Sequence, residues 1–266
     1  TNMSTAASPA AKAGAMSGRS VLSPIVVAFA VIAILFGSLA GPQRLIAQAS
    51  AADNSCSAVE VVFARGTGEP DGIGRVGQAF VDSLRQQIGD RTLDVHAVNY
   101  AASRDFLRAV DGANDASAYV QQLSQLCPAT KIVLGGYSQG AAVIDMITAL
   151  DQPFFGYTNM MPADVANHVA AVAVFGNPSN RVQGPLTAIS PLYGAKTIDL
   201  CNGADPVCSN GSDVPAHSLY AEAGLTAQAA QFAAQRVLAP TAPVPAQQLA
   251  GSVDAGQADG ESVAQA

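Results

Sequence analysis

The sequence predicts an α/β protein of three layers, in which a mostly parallel sheet of about five strands carries helices on both faces. Strand-like and helix-like stretches alternate over residues 59–238. Such alternation is typical of parallel sheets, whose strands are joined by crossing helices. A strand, a glycine turn and an apolar helix follow one another directly over residues 131–150, and no internal repeat interrupts the order.

Five short stretches are predicted as strands, and four longer ones as helices. The predicted strands are residues 59–64, 93–98, 131–134, 169–175 and 195–200. The predicted helices are residues 75–88, 112–126, 139–150 and 226–238. The first helix has Val76, Phe80, Leu84 and Ile88 at fourfold spacing, which places them on one face. The last helix is rich in alanine.

The two ends of the chain differ from the part between them. Residues 1–50 hold three basic residues and no acid, an uncharged apolar run at 21–40, and a small-residue site at 47–49. This pattern predicts a secretory signal peptide, and Pro24 favours cleavage over an uncleaved membrane anchor. Residues 239–266 are rich in Pro, Ala, Gln and Gly, which predicts a disordered tail. The folded domain is therefore expected at residues 51–238, outside the cytoplasm, either secreted or anchored to the membrane or cell envelope by residues 21–40.

The charge pattern limits the possible partners. The 266-residue chain has a net charge of −7, and charged residues make up only 12% of it. No basic stripe is present, which argues against a nucleic acid partner. The sparse surface charge suits a neutral or apolar substrate, and we expect a monomer.

The four cysteines, Cys56, Cys127, Cys201 and Cys208, all lie inside the predicted domain. An even count in an exported chain favours disulfides, and three pairings are possible. The short spacing of Cys201 and Cys208 favours a local bridge, which leaves Cys56 with Cys127. A metal site is the competing use, but CxxC spacing and a neighbouring His pair are both missing, so no metal is expected.

Ser138 is the candidate nucleophile. It stands in Gly136-Tyr137-Ser138-Gln139-Gly140, after an apolar strand and before an apolar helix. This frame is typical of a nucleophile elbow, where a strained turn exposes the serine hydroxyl and the next backbone N–H faces the developing oxyanion. A glycine-rich turn that merely contains a serine is the alternative, and the flanking strand and helix argue against it.

A serine hydroxyl needs a base, and the chain has three histidines. His217 follows the last predicted strand, where active sites of parallel sheets collect. His96 lies inside a strand, and His168 lies at the start of one, which is the wrong end. His217 is therefore the predicted base.

The histidine in turn needs a carboxylate, and three aspartates precede it. Asp199 lies within the last strand, and Asp213 lies in a Ser/Gly loop where it could easily be solvated. Asp205 follows the strand inside the expected Cys201–Cys208 loop, which would hold it rigidly. Asp205 is favoured over the other two, and the order Ser, Asp, His along the chain is that of α/β-hydrolases.

These motifs, with Ala64-Arg65-Gly66-Thr67, Asp205-Pro206-Val207-Cys208 and Pro215-Ala216-His217, resemble the cutinase family, notably the secreted esterases of actinobacteria. The resemblance spans about residues 56–238. It implies a lidless α/β-hydrolase fold, a Ser138–His217–Asp205 triad, the disulfides Cys56–Cys127 and Cys201–Cys208, and an oxyanion hole of Thr67 and Gln139. Fungal cutinases usually have serine in place of Thr67, and the extra methyl group could narrow the site.

The sequence thus predicts a secreted serine esterase that needs no cofactor and hydrolyses esters of short to medium acyl chains. The alternatives are an envelope-lipid acyltransferase or phospholipase, and a non-catalytic envelope-binding protein. One stretch stays open: residues 151–167, with Phe154, Phe155, Met160 and Met161, could be ordinary core packing or an apolar rim for an acyl chain.

Overall fold

The computed structural model describes residues 56–240 of the chain. The predicted leader of residues 1–50 lies outside these residues, as does all but the first two residues of the predicted tail. Within the described region, no helix has both the length and the apolar character that crossing a bilayer requires.

The sheet has five strands, all parallel, in the order β2-β1-β3-β4-β5. Their bounds are β1 Val59–Ala64, β2 Leu93–Ala97, β3 Lys131–Tyr137, β4 Val169–Phe175 and β5 Thr197–Leu200. The chain reverses its direction of strand addition between β2 and β3, which lie on opposite sides of β1. Such a reversal opens a crevice at the carboxyl ends of the central strands.

Helices cover both faces of this sheet, which confirms the predicted three-layer α/β fold. Their bounds are α1 Gly74–Gln87, α2 Ala109–Leu126, α3 Gln139–Ala149, the short α4 Leu186–Ile189 and α5 Leu225–Leu238. Alternate residues of each strand point to opposite faces. Val61 and Phe63 of β1 accordingly pack with α1 and α5, whereas Val62 and Ala64 pack with α2 and α3.

Several element bounds differ from those predicted by the sequence. Helix α2 begins at Ala109, three residues early, after a 3-10 turn at Phe106–Arg108. Strand β3 runs three residues further, to Tyr137, because Gly135 and Gly136 belong to the sheet. Gly135 is required there, since a Cβ atom would come within 2.4 Å of the Phe63 ring. Strand β5 starts two residues late, and α4 was not predicted.

Two disulfides hold the fold. Cys56 is bonded to Cys127, which ties the chain before β1 to the end of α2. Cys201 is bonded to Cys208, which closes the loop that follows β5. These are the two bonds that the family resemblance implies.

Candidate active site

Ser138 lies at a sharp turn between β3 and α3. Its backbone has φ 55° and ψ −117°, a conformation that non-glycine residues seldom adopt. The flanking glycines make the turn possible. A Cβ atom on Gly140 would lie 1.9 Å from the Ala64 carbonyl oxygen, and one on Gly136 would lie 2.3 Å from the carbonyl oxygen of Gly140. The predicted nucleophile elbow is therefore built as its motif requires, with the hydroxyl above the carboxyl end of the sheet.

His217 stands on a 3-10 turn, Pro215–Ser218, beyond β5. Its Nε2 lies 2.9 Å from the Ser138 hydroxyl oxygen. The imidazole stacks on Tyr137 at 5.1 Å between ring centroids, and the Tyr137 hydroxyl donates to the His217 carbonyl oxygen at 2.5 Å. Burial raises the pKa of Tyr137 to about 12, so this donor stays protonated at any working pH. The ring plane of His217 is thus fixed from one side.

Asp205 is completely buried below His217. Its Oδ2 lies 2.7 Å from Nδ1 of His217, and its Oδ1 accepts the backbone N–H of Val207 at 2.8 Å. The residue lies within the Cys201–Cys208 loop, as predicted. Each carboxylate oxygen has a donor, which offsets the cost of burying the charge.

Tyr220 is a site residue that the sequence did not reveal. Its hydroxyl donates to Asp205 Oδ2 at 2.6 Å and accepts the backbone N–H of Asn202 at 3.2 Å. Burial, followed by the Asp205 hydrogen bond, raises the pKa of Tyr220. The only sequence signal for Tyr220 is its position three residues after His217. That position does not distinguish a site residue from an aromatic residue of the core.

The rejected candidates lie elsewhere. His96 on β2 stacks on Tyr119 at 3.6 Å and contacts Asp115 at 3.3 Å. His168 lies at the amino end of β4, next to the carbonyl of Pro128. Asp199 on β5 accepts from two asparagines and from the backbone N–H of Leu186. Asp213 is exposed and accepts the backbone N–H of Ala216.

Thr67, Ser138 and Gln139 line one groove. Gln139 is the first residue of α3, so its backbone N–H has no partner within the helix and lies at the positive end of the helix dipole. The Thr67 hydroxyl lies 3.4 Å from the Gln139 side-chain oxygen. The Gln139 amide nitrogen donates to the Ser103 carbonyl oxygen at 3.1 Å, which fixes that side chain.

The Thr67 loop is held by a partly buried hydrogen-bond network. Glu69 accepts the backbone N–H of Gly66 at 2.7 Å and that of Arg75, in the first turn of α1, at 2.8 Å. The buried Arg65 donates to the carbonyl of Tyr100 at 2.7 Å. These bonds hold the loop rigid next to Ser138.

An apolar groove of about 520 Å³ opens beside Ser138, and we call it the Ser138 groove. Its apolar walls are Phe106, Ala109, Ala142, Pro178 and Val207. Within residues 56–240, the chain between Ser138 and His217 forms α3, strands β4 and β5, the short helix α4, 3-10 turns and loops, none of which is a lid over Ser138.

One group of potential metal ligands lies together in the described region: Cys201, Asp205 and Cys208. The two sulfurs are bonded to each other, and the carboxylate is engaged by His217 and Tyr220. These residues therefore do not form a ligand set.

Fold and site together define an α/β-hydrolase with a serine nucleophile, and comparison with known proteins shows a carboxylic-ester hydrolase. The sequence model described as Cutinase matches residues 55–237. The chain belongs to the cutinase family.

Two curated relatives and one solved structure show the extent of the similarity. Phospholipase Culp4 of Mycobacterium tuberculosis is 50% identical over 226 residues, 85% of this chain and 95% of the relative. Carboxylesterase Culp1 of Mycobacterium tuberculosis is 46% identical over 229 residues, 84% of this chain and 98% of the relative. The structure of Trichoderma reesei cutinase with a C11Y4 phosphonate inhibitor matches at a TM-score of 0.56 and 35% identity, over 68% of this chain and 77% of that chain.

Proposed function

We propose that Ser138, His217 and Asp205 are the catalytic triad of this esterase. His217 Nε2 takes the proton of the Ser138 hydroxyl as the serine oxygen attacks the ester carbonyl carbon. Asp205 holds the Nδ1–H tautomer and stabilises the imidazolium that forms. The observation that carries this proposal is the unbroken chain of contacts, 2.9 Å from serine to histidine and 2.7 Å from histidine to aspartate.

The tetrahedral intermediate places a negative charge on the former carbonyl oxygen. The Gln139 backbone N–H, and the hydroxyl and backbone N–H of Thr67, are the proposed donors to that oxyanion. The position of Gln139 at the start of α3 supports the first assignment, because the helix dipole favours a negative charge there. The position of Thr67 on the wall of the groove that contains Ser138 supports the second assignment.

Collapse of the intermediate expels the alcohol, which takes the proton from His217. Ser138 is then esterified by the acyl group. Water attacks this acyl-enzyme with His217 again as base, and the carboxylic acid leaves as Ser138 recovers its proton. The open groove gives water access to the acyl carbon.

A fluorophosphonate probe tests the nucleophile. The probe should label one serine, and peptide mapping should find the label on Ser138. Ser138→Ala should abolish both labelling and p-nitrophenyl butyrate hydrolysis. The matched control is Ser212→Ala, in the exposed loop before His217, which should keep both. Substantial turnover by the Ser138→Ala variant would refute the mechanism.

The proposed substrates are esters whose acyl group fits the Ser138 groove, which alone favours short to medium chains. A phospholipid is the second candidate, because one relative at 50% identity is named a phospholipase. Release of fatty acid from phosphatidylcholine vesicles tests it. Adding an alcohol acceptor and analysing the products distinguishes hydrolysis from acyl transfer.

We further propose that residues 51–238 are the folded unit and that it acts outside the cytoplasm as a monomer. Two disulfides within residues 56–240 support an oxidising compartment. The mass of the protein recovered from culture medium, and from the cell envelope, would show whether the leader is cleaved or retained as an anchor.

A further inference from the structure

A second apolar pocket of about 240 Å³ lies beside the Ser138 groove, further from the nucleophile. We call it the distal pocket. The walls that belong to it alone include Val110, Met146, Ala149, Leu150, Phe154 and Phe155. The proposed mechanism leaves this pocket unused.

The distal pocket adjoins the Ser138 groove. Phe106, Ala109 and Ala142 line both of them. Ala142 on α3 borders both, and its side chain is only a methyl group, so no large side chain at this position blocks the passage from the groove to the pocket.

The passage follows one face of α3. Ser138 precedes the helix, and Ala142, Met146 and Leu150 succeed it at fourfold spacing, so they share a face. The distance from Ala142 to Leu150 along the helix is roughly 12 Å. A linear chain attached at Ser138 can therefore run along α3 from the groove into the distal pocket.

The far wall is a tight turn that holds two exposed aromatic rings. Phe154 and Tyr157 form a backbone bridge, and the rings of Phe154 and Phe155 pack edge to face at 4.6 Å. Phe155 has φ 44° and is 75% exposed, which is unfavourable both for its backbone and for its apolar side chain.

The surrounding structure holds this turn in place. Tyr157 is fully buried, and the Asn114 amide donates to the Gly156 carbonyl oxygen at 2.8 Å. Asn114 also accepts the backbone N–H groups of Thr158 and Asn159. A rigid turn that keeps Phe155 exposed despite its strain points to a function for the ring.

Among the described residues, Asp145 is the only acidic side chain on the wall of the distal pocket, and both of its oxygens accept hydrogen bonds. Oδ1 accepts from Asn177 at 3.1 Å, and Oδ2 accepts from the Ser179 hydroxyl. Burial raises the pKa of Asp145 to about 7, which lowers the charge presented to the pocket. The wall is therefore suited to hydrocarbon.

We propose that the distal pocket binds the outer methylenes of a long acyl chain whose carbonyl carbon reacts with Ser138. This inference rests on the proposed function and extends the substrate range from short and medium chains to long ones. Each methylene that is fully buried improves binding by about fourfold. The Ser138 groove alone would lose long chains to solvent, whereas the groove and pocket together retain them.

Two variants test the pocket. Ala149→Phe fills it from α3, and Phe155→Asn removes a wall while placing at φ 44° a residue that tolerates this conformation. The matched control is Leu126→Ser, an exposed apolar residue at the opposite end of α2. Circular dichroism and melting temperature verify folding.

The substrates are p-nitrophenyl butyrate and p-nitrophenyl dodecanoate, the latter kept below its micellar concentration. For Ala149→Phe we expect kcat/KM on dodecanoate to fall at least tenfold, mainly through KM, while butyrate changes less than twofold. For Phe155→Asn we expect a threefold or larger fall on dodecanoate alone. Leu126→Ser should leave both substrates unchanged.

Alkyl phosphonates give a measurement on the unmodified protein. The rate of Ser138 inactivation should rise from the hexyl to the dodecyl phosphonate. An equal rate, or variants that affect butyrate and dodecanoate alike, would overturn the distal pocket. Failure of the unmodified protein to hydrolyse even butyrate would instead refute the proposed function.

Discussion

Loss of the Asp205 carboxylate is expected to lower kcat strongly and to leave the protein folded. Asp205→Asn keeps the shape of the buried group but favours the wrong tautomer of His217, so kcat should fall by about 10⁴-fold. Steady-state kinetics on p-nitrophenyl butyrate, with circular dichroism to verify the fold, measures this. Asp213→Asn is the matched control and should stay within twofold, because Asp213 is exposed and contacts neither His217 nor Ser138. A large fall in kcat for Asp213→Asn, with little change for Asp205→Asn, would show that Asp213 is the carboxylate of the triad.

Tyr220 is expected to act as a positioning residue through Asp205. Tyr220→Phe removes the 2.6 Å hydrogen bond to Oδ2, and kcat should fall by about tenfold, the value of one bond to a charged group. A carboxylate with one donor fewer attracts the imidazolium more strongly. The acid limb of the kcat/KM profile should therefore move to higher pH.

The control for Tyr220 is Tyr193→Phe, a buried tyrosine whose hydroxyl has no hydrogen-bond partner in the described region. It should change neither kcat nor the pH profile. If Tyr220→Phe lowered stability but changed neither kcat nor the acid limb of the kcat/KM profile, the role of Tyr220 would be purely structural.

The two disulfides are expected to differ in what they support. The loop closed by Cys201 and Cys208 is short, so removing that bond should cost only about 2 kcal/mol of stability. Activity should fall more than tenfold even where the protein is folded, because the loop positions Asp205. The Cys201→Ser, Cys208→Ser double variant, assayed at a temperature well below its melting point, measures both quantities.

The matched comparison is the Cys56→Ser, Cys127→Ser double variant. This bond spans 71 positions of the chain, and its loss should cost up to about 4 kcal/mol through loop entropy. It lies near the amino ends of the strands, away from Ser138, so kcat of the folded protein should be unchanged. Equal losses of activity in the two double variants would contradict the role assigned to the Cys201–Cys208 loop.

The stability of the whole molecule should depend on pH through Asp145. Burial raises the pKa of this carboxyl from 3.8 to about 7, so the folded state binds more protons than the unfolded state between these pH values. Its contribution to stability is therefore complete below pH 3.8 and is lost as the pH rises towards about 7.

Asp145→Asn removes the ionisable group and keeps an acceptor for Asn177. The free energy of unfolding at pH 8 should rise by about 1 kcal/mol or more, and the difference from the unmodified protein should shrink at pH 5. Urea unfolding at the two pH values measures it. If Asp145→Asn were equally destabilised at pH 5 and pH 8, the hydrogen bonds to Asn177 and Ser179 would contribute more to stability than the buried charge costs.

Local sequence determined most of the fold. Strands β1 and β4 have the predicted bounds because both are short apolar runs of the kind that a buried strand requires, interrupted in β1 only by Glu60. The elbow was predictable because only glycine at 136 and 140 lets the turn pack against β1 and α3. The contact between Ser138, His217 and Asp205 followed from topology, since a parallel sheet gathers the loops after its strands at one edge.

Tertiary packing decided what residue type alone left open. Phe154, Phe155, Met160 and Met161 are all apolar, and the sequence did not distinguish a core from a rim. In the structure, the two methionines pack on the core, whereas the two phenylalanines line the distal pocket. The difference arises from the turn at Phe155, which Asn114 holds from some forty residues away. Tyr220 escaped prediction for the same reason, because its partner Asp205 is set by the folding of a loop and not by any local pattern.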